Sequence, residues 1–162
     1  EPDTAIVKGA VMFAEKATMF NSRKARLTYG NRFGVPFNDK DPEHRRRRDK
    51  GGIFINESGA AYINGGFDVH ISIGDDIPAD GVLTRRSYIP LSLDKTRTSV
   101  SIYASRSRNP KFADEDGCFE VGEVSFGLDT TKKTVEDRSY RVELAFGGPE
   151  LTVKILHDTE ER

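Results

Sequence analysis

Phe67-Asp68-Val69-His70-Ile71-Ser72-Ile73 alternates between apolar and polar side chains at every step. A period of two is the pattern of a strand with one buried and one wet face. The same alternation returns in Val100-Ser101-Ile102-Tyr103-Ala104-Ser105, and again over 121–126, 140–146 and 151–155. Turn chemistry separates the runs: Gly30, Gly34-Val35-Pro36, Gly65-Gly66, Gly74-Asp75-Asp76, Asp116-Gly117 and Gly147-Gly148-Pro149. The last of these lies between two alternating runs and reads as a hairpin. Seven to eight short strands at this spacing predict a mainly β protein, an antiparallel sandwich or barrel, of which the β-sandwich is the expectation taken forward.

Two stretches fall outside that pattern. At the start, Pro2 and Asp3 precede Ala5, Ile6, Val7, Ala10, Val11, Met12, Phe13 and Ala14, which reads as an N-terminal α-helix apolar nearly all round. Gly9 inside it suits close backbone approach. The second stretch, about 38–66, is polar, basic and glycine-rich. It reads as an inserted loop holding two short strand candidates, Ile53-Phe54-Ile55 and Tyr62-Ile63.

With 162 residues the chain is the size of one domain, and 31% of the residues are charged. No run approaches the ~18 apolar residues of a membrane span. Lys and Arg number 25 against 26 Asp and Glu, so the net charge of -1 argues against nucleic acid as partner. The basic run Arg45-Arg46-Arg47-Arg48 has no interleaved aromatic residue to stack on bases, and reads as a solvated loop tip. A single cysteine, Cys118, makes no internal disulfide and fits a reducing, cytoplasmic compartment. It reads as an inert thiol, since no histidine lies near it in sequence. The opening residues have neither an initiator Met nor a signal-peptide pattern, so the chain is expected to be a piece of a longer protein.

Catalytic patterns are missing. His44, His70 and His157 do not stand at zinc-ligand spacing from each other or from Cys118, and read as solvated or edge histidines. Asp114-Glu115-Asp116-Gly117 with Glu123 imitates a calcium loop, but its first ligand position falls on Phe112, which offers no oxygen. Neither a nucleophile elbow nor a glycine-rich phosphate loop is present. The chain itself is therefore expected to be no enzyme and to need no cofactor or metal. Binding is the default function: an extended peptide taken along a strand edge or groove, or a small ligand or carbohydrate gripped by end loops.

Several segments also resemble a known family. Glu1-Pro2-Asp3-Thr4-Ala5-Ile6-Val7-Lys8-Gly9-Ala10-Val11 is similar to the last helix of the ATPase domain in the heat shock protein 70 family. Arg23-Lys24-Ala25-Arg26-Leu27-Thr28-Tyr29-Gly30 looks most like the family's divergent member-12 branch, which has a basic cluster, Leu-Thr-Tyr-Gly and then an enlarged loop. The stretches 67–78, 98–104, 119–128 and 138–155 resemble further strands of its substrate-binding domain, in order. The resemblance implies that residues 1–24 are the tail of an actin-like nucleotide-binding domain and 25–162 a β-sandwich substrate-binding domain with the basic loop at about 38–66. It implies a stress-response chaperone holding extended or unfolded polypeptide. ATP would bind in the upstream domain, making the full-length protein an ATPase. By residue order, the groove positions would be Asn31, Phe33, Arg85, Tyr88, Val100 and Ile102, with Arg45 to Arg48 near the groove and favouring acidic partners or gating access. The family groove is aliphatic, whereas Asn31, Arg85 and Tyr88 are not. The other reading left by the residues is a dedicated interaction module that keeps one specific protein partner.

Overall fold

The computed structural model describes residues 24–147 and 151–157, and the backbone of Ile6–Val11. Two antiparallel sheets face each other over one core. In chain order the elements are β1 (Ile6–Val11), β2 (Thr28–Pro36), α1 (Pro42–Asp49), β3 (Ile53–Ile55), β4 (Ala61–Ile71), β5 (Val82–Tyr88), β6 (Arg97–Ser105), β7 (Cys118–Gly127), a 3-10 turn (Glu136–Arg138), β8 (Tyr140–Phe146) and β9 (Leu151–His157). One sheet runs β1-β9-β8-β5 and the other β3-β4-β2-β6-β7. The alternating runs supply the core. Val100, Ile102 and Ala104 of β6 meet Val142, Leu144 and Phe146 of β8 and Leu151, Val153 and Ile155 of β9, all nearly sealed from solvent. The mainly β sandwich expected from the pattern is the observed fold.

The N-terminal helix is not observed where the backbone is described. Ile6–Val11 is a strand, paired antiparallel with β9 from Ile6↔Leu156 to Val11↔Leu151. The apolar richness is real, but Ile6, Val7 and Val11 are β-branched and Gly9 is the weakest common helix former after proline. The open edge of β9 satisfies their backbone, and tertiary pairing overrides the periodicity. The remainder of the expected helix, Arg23 of the basic cluster, and Gly148-Pro149 of the last turn lie outside the described residues. The hairpin expected there is present in its strands, since β8 and β9 pair from Tyr140↔His157 to Ala145↔Thr152.

The stretch at 38–66 is built rather than looped. It contains α1, β3 and the first half of β4. Asp41 caps α1 by accepting from the backbone N–H groups of Glu43 and His44, and Pro42 occupies the first turn. Arg45 to Arg48 are thus helical, not a loop tip. β3 pairs with β4 through Ile53↔Ile63 and Ile55↔Ala61, at the sheet's edge.

The strand quoted first departs from its alternation. Tyr29 pairs with Ile71, yet Gly30 pairs with Val69 and Asn31 with Asp68, so a β-bulge at His70 inverts the faces. Ile71 stays in the core, while Asp68 and His70 turn toward the other sheet and Phe67 turns outward. Gly30 is required at this bulge: a Cβ there would meet the carbonyl oxygen of Asp68 at 2.1 Å. Phe67 remains 5% exposed because the 109–116 segment and α1 cover the outer face, with Phe112 and His44 also buried. All three histidines are buried, not solvated. His44 accepts from the backbone N–H of Asn38, His70 lies between the sheets, and His157 packs edge-on to Phe126 with its Nδ1 lacking a hydrogen-bond partner.

Candidate functional site

β2 and β6 are neighbours for only part of their length. They pair from Thr28↔Ser105 to Asn31↔Ile102 and then separate. Beyond that point β2 stays with β4 as far as Pro36↔Tyr62, and β6 stays with β7 as far as Arg97↔Gly127. The sheet therefore forks. The β2 edge over 32–36 and the β6 edge over 97–101 face each other across a cleft of about 910 Å³. No strand pairing joins these two edges among the described residues.

The open end of the fork is spanned by loops. The tip between β3 and β4 reaches the 89–95 segment, where the Glu57 backbone N–H donates to the Leu91 carbonyl at 3.1 Å and Leu93 N–H donates to Glu57 Oε1 at 3.4 Å. Arg138 holds that segment from behind. Its side chain is buried and donates to the backbone carbonyls of Leu93, Lys132 and Thr130 at 2.9–3.3 Å. A guanidinium has five donors in a fixed fork, which is what three converging carbonyls require. Ile89 and Leu91 line the cleft with half or nearly half of their surface exposed.

The floor is aromatic. Phe33 lies 6.2 Å from Tyr88, Tyr88 lies 6.0 Å from Tyr140, and Tyr140 meets Phe126 edge-on at 4.9 Å. Tyr88 and Tyr140 are register partners on β5 and β8 of one sheet, while Phe33 on β2 and Phe126 on β7 belong to the other, so the row crosses between the sheets.

A polar network pins the apex. Thr84 and His70 Nδ1 are 2.6 Å apart, and His70 Nε2 lies 2.7 Å from Asn31 Oδ1. Asn31 Nδ2 donates to the Tyr88 hydroxyl at 2.8 Å and to the Arg32 carbonyl at 3.2 Å. The Tyr88 hydroxyl donates to Asp68 Oδ2 at 2.5 Å. Arg86 adds Nε to Asp68 at 3.2 Å and Nη2 to the Val69 carbonyl. Since Asn31 Oδ1 only accepts, His70 carries its proton on Nε2 and accepts from Thr84 at Nδ1. Burial, then the Arg86 charge, push His70 down to about 3, so the ring is neutral at physiological pH. Burial and the Asp68 carboxylate hold the Tyr88 hydroxyl far above the usual phenol range.

The expected groove residues separate into two groups. Asn31, Phe33, Tyr88 and Val100 line the cleft together. Arg85 does not: it lies on the opposite face of β5, with Nε 2.7 Å from the buried Glu143 carboxylate. Strand alternation explains this, since Thr84, Arg86 and Tyr88 point between the sheets and Arg85 points away. Ile102 is fully buried in the core, below the fork. Reading along the sequence could place neither, because sheet pairing decides which face looks into the cleft. Tyr140 and Glu57, which line the cleft, and Asp68, His70 and Arg138, which brace it, were not singled out for it, since each arrives from an element distant in sequence.

The arginine run lies at a second concavity, of about 1080 Å³, between α1 and the 109–116 segment. Three of its four guanidinium groups pair with carboxylates of the chain. Arg47 stacks over the Phe112 ring at 3.7 Å and forks onto Asp114 at 2.7 and 3.0 Å. Arg46 and Arg47 both donate to Glu43, which holds that carboxyl down to about 2. Arg45 donates to the Asp39 carbonyl and Arg48 to Asp49. Arg47 thereby ties α1 to the 109–116 segment, while Arg45, Arg46 and Arg48 stay exposed. Cys118 is half-buried, with Sγ 3.7 Å from the Phe112 carbonyl. Among the described residues, no helix is long and apolar enough to cross a membrane, and no group of His, Cys, Asp and Glu is arranged to hold a metal ion.

No family model and no solved structure matches the chain. Among curated proteins it is similar to the human heat shock 70 kDa protein 12A, at 28% identity over 90% of this chain and 21% of the relative. The human heat shock 70 kDa protein 12B is 28% identical over 97% of the chain and 23% of its own length, and the mouse 12A protein is 27% identical over 97% and 22%. The chain spans about a fifth of the length of the curated relatives it matches. It is thus distantly similar, over nearly all of its own length, to the member-12 proteins of the heat shock 70 kDa family.

Proposed function

We propose that the chain binds an extended polypeptide segment, taken as an added strand between β2 and β6. The observation that carries this reading is the fork: two strand edges face each other over 32–36 and 97–101 with no pairing between them. Unpaired edges are templates for a further strand, and main-chain hydrogen bonds then supply affinity with little regard to sequence. Five residues on each side match an inserted stretch of roughly 17 Å. Exposed Ile89 and Leu91 and the aromatic floor give its side chains apolar contact. The distant similarity to heat shock 70 kDa proteins supports a chaperone-like role, to which this reading adds polypeptide holding and, in a whole protein, control by ATP from a nucleotide-binding domain.

Amide hydrogen exchange on the chain with and without a panel of unrelated heptapeptides tests the reading. Protection is expected at 32–36 and 97–101 with many peptides, each bound weakly. Phe33→Glu, which places a charge on the floor, is expected to abolish it. Protection confined to the α1 concavity, or none with any peptide, refutes the fork as the site. One tight hit among many blanks identifies a dedicated interaction module in place of a general holder.

A further inference from the structure

Tyr140 is 8% exposed, with its ring packed between Tyr88 and Phe126, yet its hydroxyl makes no hydrogen bond to any described residue. Its oxygen is not sealed in either, because Tyr140 lines the cleft and Nδ1 of His157 is the one fully enclosed unpartnered side-chain atom among the described residues. Buried tyrosines normally find a partner for the hydroxyl. Here the neighbouring donors and acceptors are already committed: Tyr88 bonds Asp68 and Asn31, and Asn31 bonds His70. Burial alone pushes the Tyr140 hydroxyl up to about 12, so it stays protonated and available as a donor.

We infer that the Tyr140 hydroxyl is a specificity element of the cleft, donating to a neutral carbonyl-bearing side chain, Gln or Asn, of the bound segment. The inference rests on the reading of the fork as a polypeptide site. Cross-strand neighbours point to the same face, so a residue inserted between Phe33 and Val100 sends its side chain inward, toward Tyr88 and Tyr140. That space is walled by the Tyr88 and Tyr140 rings and offers the Tyr140 hydroxyl as a donor. A purely aliphatic side chain fills the walls and leaves the hydroxyl unpaired, while Lys and Arg bring no acceptor. A carboxylate accepts but must be desolvated near the Asp68 side chain, whose oxygens Tyr88 and Arg86 already hold. An amide side chain has an apolar stem and a neutral acceptor at its end.

The test uses fluorescein-labelled heptapeptides in one valine and serine frame, with Gln, Asn, Leu or Glu at the centre, titrated against the 162-residue chain and its Tyr140→Phe variant. The wild type is expected to favour Gln or Asn over Leu. Tyr140→Phe should shrink that preference by roughly three- to tenfold, the range of one neutral hydrogen bond. A tyrosine-selective NMR label on the wild type gives a readout independent of the variant's folding: the Tyr140 ring carbon bearing the hydroxyl should shift with the Gln peptide and not with the Leu peptide. An unchanged Gln-to-Leu ratio, an unmoved resonance, or tightest binding by the Glu peptide overturns the inference while leaving the fork as a peptide site. Absence of binding by every peptide overturns both.

Discussion

Acid should unfold this protein partly through one histidine. His70 sits between the sheets at 8% exposure, with both ring nitrogens used by Thr84 and Asn31. Its neighbours from each element are Asp68 on β4, Arg86 and Tyr88 on β5, and Asn31 on β2. The one cation among them, Arg86, opposes a second positive charge. The folded ring titrates at about 3 against about 6.5 when unfolded. Below pH 6.5 the unfolded chain binds a proton that the folded chain refuses. The stabilisation is therefore complete above 6.5 and declines as the pH falls toward 3. The slope is ~1.4 kcal/mol per pH unit, so the loss between pH 6.5 and pH 4 is about 3 kcal/mol, out of a usual domain stability of ~5–15 kcal/mol.

Urea unfolding of the wild type and His70→Gln across pH 4–8 isolates this contribution. Glutamine keeps an N–H for Asn31 Oδ1 but does not titrate. The variant is expected to be less stable at pH 7, because its fit between the sheets is worse. It should also lose less on acidification, so the two curves converge by about 3 kcal/mol between pH 6.5 and pH 4. Other acid-sensitive groups cancel in the difference. Glu43 is held down by Arg46, Asp114 by Arg47 and Asp75 first by the Ser72 backbone N–H, equally in both proteins. Parallel curves would show that His70 is protonated in the fold and that the apex network is differently wired.

Two more substitutions probe the surroundings of the cleft. Arg138→Met keeps the apolar stem and removes the donors to Leu93, Lys132 and Thr130. It is expected to cost about 3 kcal/mol, and to expose the 89–95 segment to limited proteolysis before the rest of the fold. Arg47→Ala removes both the fork to Asp114 and the stack on Phe112, so thermal unfolding should fall by several degrees, whereas Arg45→Ala, with one exposed bond to Asp39, should leave it unchanged.

The alternating runs exposed the sandwich because each strand buries one face, and that demand is local. The pattern at 67–73 was legible as a strand but wrong in its faces, since the bulge at His70 depends on Gly30 of another strand. The apolar opening suggested a helix by composition, yet β9 offers its backbone an edge that no reading of residues 1–14 contains. Of the groove positions that the resemblance implies, Asn31, Phe33, Tyr88 and Val100 line one cleft. Arg85 and Ile102 do not, since exposure at a given strand position is fixed by the neighbour across the ladder. The four consecutive arginines pointed to free charge. Their acidic partners include Asp114, 67 residues away from Arg47.

The fork and the apex network are mechanically one feature. When β2 leaves β6 at Asn31, the next β2 carbonyl, that of Arg32, loses the neighbour it would have across the ladder. Asn31 itself supplies a replacement through Nδ2, and the same amide group donates to Tyr88. An apolar residue at 31 would leave the Arg32 carbonyl, the Tyr88 oxygen and His70 Nε2 each short of a partner, at a cost per buried group of about 1–3 kcal/mol. Branching the sheet therefore demands a polar side chain at the apex, and a polar apex demands polar partners from β4 and β5. That chain of requirements accounts for Asp68, His70, Thr84, Arg86 and Tyr88 lying between two sheets that share a hydrocarbon core. The committed groups hold the branch open, and the Tyr140 hydroxyl, which bonds to none of them, is left facing the cleft.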